Sequence, residues 1–143
     1  MAKLKHEDLR RIEVRIGSSG SSRATSLMAP SDKGRRVNLR PSDKAVGEMK
    51  ARGMTKVRAS WLVNANKEVH WLEVRPAKPS EEGLKVRYDY GKLRPHVHVP
   101  TADVGRAVDA PGGTRVCPEE TIDGDAFRFR IPDGLRFEKG AET

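Results

Sequence analysis

A chain of 143 residues has room for a real hydrophobic core and, by default, forms one domain (1–143). Apolar residues make up 36% and aromatics 5%, so the core must rest on Val, Leu, Ile and Ala rather than on rings. A net charge of +8 points to polyanionic partners, a single cysteine excludes an internal disulfide or a multi-cysteine zinc site, and no apolar run is long enough to span a bilayer.

The charge is uneven. Residues 1–60 hold 15 Lys/Arg against 6 Asp/Glu, and residues 61–143 hold 13 against 14. A polyanion is therefore expected to meet the N-terminal part. The opening "MAKLKHEDLRR" lacks an apolar stretch, so no secretory signal is expected and the expected address is cytoplasmic. Leu4 and Leu9 suit a short helix, and Ile12, Val14 and Ile16 alternate as a half-buried strand. Residues 17–36, rich in Gly and Ser with several cations, predict a flexible basic loop.

Ser42 or Asp43 can cap a short helix that carries Ala45, Val46 and Met49 and stops at Gly53. "TKVRASWLVNANKEVHWLEVRP" predicts a hairpin turning at Asn64–Lys67. A four-residue loop would set Trp61 opposite His70 and Arg58 opposite Glu73, with both tryptophans in the core. "LKVRYDYGKLRPHVHVP" predicts a second hairpin around Gly91. Its polar face would carry Lys85, Arg87, Arg94, His96 and His98, and Pro95 favours an edge strand. "TADVGRAVDAPGG" suggests a weak helical turn. Phe127, Phe129 and Ile131 alternate inward against Arg128 and Arg130, and residues 138–143 read as a frayed tail. The expected fold is strand-rich α+β, a small antiparallel barrel or sandwich built from hairpins with one or two short helices.

Catalytic signatures are thin. There is no P-loop, dinucleotide fingerprint or Gly-x-Ser-x-Gly. Cys117 is followed by Pro118, Glu119 and Glu120, whose carboxylates would raise a thiol pKa, so it reads as a small buried residue rather than a nucleophile. Glu73 and Arg75 make a carboxylate–x–cation step on a strand. A metal-dependent nuclease would complete it with an upstream acid, and the nearest, Asp43, reads as a helix cap. His96 and His98 share a strand face, but a zinc site needs a third ligand and more. They read as a continuation of a cationic face, with no metal and no cofactor expected.

Binding is the better-supported reading. Arg23, Lys33, Arg35, Arg36, Arg40 and Lys44 crowd the loop and its exit, and Lys50, Arg52, Lys56 and Arg58 extend the cluster. Arginine forks, serine hydroxyls and open backbone N–H groups suit phosphates. The leading expectation is a non-enzymatic module docking nucleic acid or a nucleoprotein complex, with no membrane role. The alternative is an inhibitor, adaptor or assembly subunit that pairs through a sheet edge or an acidic partner surface. A metal-dependent enzyme at His96 and His98 comes third.

Overall fold

The structure, a computed structural model, describes residues 24–88 and 95–139. The expected opening helix and strand, Arg23, the tip of the second hairpin with Arg94, and residues 140–143 lie outside the described residues. The protein is strand-rich α+β. Among the described residues, β1 (Leu27–Ser31), β2 (Arg36–Arg40), α1 (Asp43–Ala51), β3 (Lys56–Val63), β4 (Val69–Pro76) and β5 (Leu84–Lys85) come first. They are followed by β6 (Val97–Pro100), β7 (Arg106–Asp109), β8 (Glu120–Asp123), β9 (Ala126–Arg130) and β10 (Leu135–Glu138).

All pairings between these strands are antiparallel. They form a sheet β1-β2-β6, a sheet β5-β3-β4-β9-β8, and a ribbon β7-β10. Arg87, just past β5, pairs with His96, just before β6. Leu27 of β1 pairs with Val116, on the way into β8. These two isolated bridges extend pairing past both margins of the three-stranded sheet.

Alternation explains the core. Val37 and Leu39 of β2, Val57 of β3, Leu72 and Val74 of β4, Val97 and Val99 of β6, and Phe127 and Phe129 of β9 are all buried in one cluster. Ala45 and Met49 of α1 join it. Ser42 caps α1 by accepting from the Ala45 amide, and Gly53 just past its end takes a φ of 65°. Trp61 packs against this core, donates Nε1–H to the Pro100 carbonyl at 3.1 Å, and meets Phe137 of β10 edge-on at 5.1 Å.

Several expectations need correction. Leu27–Ser31 is a strand, and only a tight 3-10 turn, Asp32–Gly34, separates it from β2, where a loop was expected over 17–36. Met28, fully buried, pins β1, and Pro30 is tolerated because β1 ends the sheet. Gly34 has no room for a side chain, since a Cβ there would come within 2.5 Å of the Ala107 carbonyl. Residues 106–109 are the strand β7 rather than a helical turn, and Glu138 belongs to β10 rather than to a tail.

The first hairpin keeps its faces but not its register. Trp61 lies opposite Leu72 and Arg58 opposite Arg75, while Glu73 faces Ser60. An irregularity at Leu62/Val63 and a longer turn cause the shift. The Asn64 side-chain oxygen organises that turn by accepting from the Asn66 and Glu68 amides. Trp71 is half-buried on the outer face, under the Arg130 guanidinium at 5.5 Å, and is not part of the core cluster.

Candidate nucleic-acid interface

The side of β1-β2-β6 that faces away from the core gathers residues from two clusters that are remote in sequence. On β2 the inward Val37 and Leu39 leave Arg36, Asn38 and Arg40 pointing outward. Register sets Asn38 beside His98 of β6. Arg87 and His96 exchange backbone hydrogen bonds of 3.0 and 3.2 Å and therefore project to the same side. Arg36, Arg40, Arg87, His96 and His98 thus share one face, with Asn38 and Ser31 among them.

The face is not the wet strand surface expected. His96 is 4% exposed, and its ring meets that of His98 edge-on at 5.1 Å. β6 ends its sheet, as expected of an edge strand, and the single bridge from His96 to Arg87 lies on its other side. Burial holds the His98 pKa below its ordinary value, and the charges of His96, Arg36, Arg87 and Arg40 push it the same way. Asn38 Oδ1, His98 Nδ1 and Ser31 Oγ are buried without a hydrogen-bond partner among the described residues.

Asp32 reaches Arg35 at 2.8 Å and Arg36 at 3.8 Å, both as exposed pairs of small energetic weight. Arg40 makes no ion pair among the described residues. Lys33 is exposed in the 3-10 turn, and exposed Lys44 follows Arg40 at the start of α1.

The remaining candidates go elsewhere. Lys50 lies over the Tyr88 ring at 5.6 Å. Arg52 lies over Phe127 at 5.1 Å, pairs with Glu48 and donates to the Gly124 carbonyl. Lys56 donates to the Pro79 carbonyl at 3.0 Å and Arg58 to Glu81 at 3.0 Å. Lys85 is exposed on β5 opposite Lys56. Lys50, Arg52, Lys56 and Arg58 each meet a partner within the protein.

Two polar clusters were not read from the sequence. Glu73, side chain 9% exposed, accepts from Arg75 at 2.9 Å and from Arg128 at 2.8 Å, and these bonds hold its pKa below the usual carboxylate value. The outward alternation of Arg128 was the available signal. The carboxylate is thereby engaged on both oxygens. Glu120 accepts from the buried hydroxyls of Ser26 at 2.5 Å and Ser42 at 2.6 Å, joining the approach to β1, the cap of α1 and the start of β8. Cys117 nearby is buried, and its pKa is pushed up to about 12, first by burial and then by Glu120, as the flanking sequence implied.

Among the described residues no three His, Cys, Asp or Glu side chains gather to hold a metal ion, and no helix is long and apolar enough to cross a membrane. Comparison with protein families, curated proteins and solved structures finds no match for this chain.

Proposed function

We propose that the protein is a non-enzymatic binding module that docks nucleic acid, free or within a nucleoprotein complex, on the outer face of β1-β2-β6. The observation that carries this reading is the convergence of Arg36 and Arg40 with Arg87 and His98 on one face. Guanidinium groups are forked, permanently charged donors that match phosphate oxygens. Among the described residues no Phe, Tyr or Trp lies among them, which favours contact to the backbone over stacked bases.

Salt dependence tests the reading. Each phosphate contact releases counterions, so the logarithm of affinity falls linearly with the logarithm of salt concentration. Replacing both Arg36 and Arg40 with Ala is expected to weaken binding across sequences and to flatten that slope by about two units. Binding with an unaltered slope in the double variant would falsify the placement of the interface.

A further inference from the structure

The same face carries buried polar atoms with no hydrogen-bond partner among the described residues. Asn38 Oδ1 and His98 Nδ1 are buried, unpartnered atoms on cross-strand neighbours. Ser31 Oγ is a third, on the same side by alternation with Ala29, the β1 partner of Asn38. Unpaired buried polar atoms are costly and rare, and three on one face flanked by Arg36, Arg40 and Arg87 ask for a partner.

Donor and acceptor chemistry narrows that partner. Guanidinium groups only donate, and phosphate oxygens answer them. An amide oxygen only accepts, as does an imidazole nitrogen without its proton, whereas a serine hydroxyl does either. The backbone of DNA offers acceptors alone. The backbone of RNA offers the same phosphates and, at each sugar, a hydroxyl that can donate. Among the described residues the face carries no Phe, Tyr or Trp ring to splay bases, so the missing donor is sought on the sugar.

We propose that this face binds RNA, with Arg36 and Arg40 on phosphate oxygens and ribose 2′-hydroxyls donating to Asn38 Oδ1 and His98 Nδ1. The proposal rests on the nucleic-acid reading above and adds the sugar. Both residues are half-buried beside exposed Arg36 and Arg40, and the two atoms themselves are buried, so binding requires neighbouring side chains to move. The neutral form of His98, favoured by burial and by the guanidinium groups around it, accepts at Nδ1 in the tautomer that keeps its proton on Nε2, which is the tautomer the proposal takes.

The test uses three short single strands that differ only at the sugar: oligouridylate, its deoxy counterpart and its 2′-O-methyl counterpart. Oligouridylate is expected to bind roughly five- to tenfold more tightly than the other two at equal salt. Asn38→Val should bring that ratio close to one with deoxy binding unchanged, and His98→Leu should reduce it partway. Equal affinity of the wild-type protein for all three strands overturns the proposal, as does a ratio that survives both variants. No binding of any strand overturns instead the nucleic-acid reading on which it stands.

Discussion

The two larger sheets each turn an arginine-bearing face away from the core, and the faces differ in what stands between the arginines. On the five-stranded sheet, Arg75 and Arg128 clasp Glu73, Arg75 also reaches Asp125 at 3.5 Å, and Arg58 is held by Glu81. On the three-stranded sheet, Arg36 and Arg40 flank Asn38, and Arg87 lies beyond His98. The first face is paired within itself; on the second, among the described residues, Asp32 reaches Arg36 at 3.8 Å and Arg40 makes no ion pair. Counting cations along the chain does not separate these cases, because Arg58 and Arg36 look alike until their neighbours across the sheet are known. Available charge is a property of register as much as of composition.

Tryptophan gives the sharpest contrast between inside and outside. Trp61 braces the core side against Pro100 and Phe137, so Trp61→Ala is expected to cost about 3 kcal/mol. Trp71, on the compensated outer face, should cost about 1 kcal/mol or less on the same change. Chemical denaturation of the two variants checks this, and equal losses would mean that the facing of β4 is wrong.

Breaking the compensation comes next. Glu73→Gln leaves Arg75 and Arg128 without their shared carboxylate. The variant is expected to lose about 1–2 kcal/mol, less than for a deeply buried pair because both arginines are partly in water. It should also gain weak, salt-sensitive affinity for nucleic acid. If stability falls and no such affinity appears, self-neutralisation is not what keeps that face silent.

Acid separates the faces with smaller effects. The folded-state pKa of His98 lies below its ordinary 6.5, so its contribution to stability is present above that value and is lost as pH falls toward the folded value. Glu73 behaves likewise in a lower window, below its ordinary carboxylate value of 4.5. Melting temperature is expected to show two acid limbs, of which His98→Gln removes the upper. Binding of the deoxy strand should strengthen over the same upper window, since a charged imidazole joins the arginines. A melting curve flat down to pH 5 would contradict the assignment to His98.

Much of the fold was legible because alternation is local. The Ser42 cap, the inward Phe127 and Phe129, the outward Arg128 and the sides of β3 and β4 all follow from neighbours in sequence. What failed was decided at a distance. The Leu62/Val63 irregularity and a turn one residue longer than expected together moved the register by two residues, and nothing in those two side chains announces it. "LMAPS" became a strand because Met28 has a core to enter, which its serine and proline neighbours conceal. The candidate site was half-legible. Both cationic clusters were visible, but their meeting depends on β6 lying against β2, a pairing across most of the intervening chain.

The carboxylate of Glu120, shared by two serine hydroxyls, has a consequence in time as well as in space. It closes a loop from Ser26 that is 94 residues around. A ribosome adds about 5–20 residues per second, so β1 emerges on the order of 5–20 s before the residue that completes its tie. During that interval Met28, Val37 and Leu39 have strand partners but no roof, because Phe127 and Phe129 are made later still. Nascent chains stalled before Glu120 should accordingly be captured by hydrophobic-binding chaperones and cut readily by protease, whereas chains released beyond Arg130 should resist both.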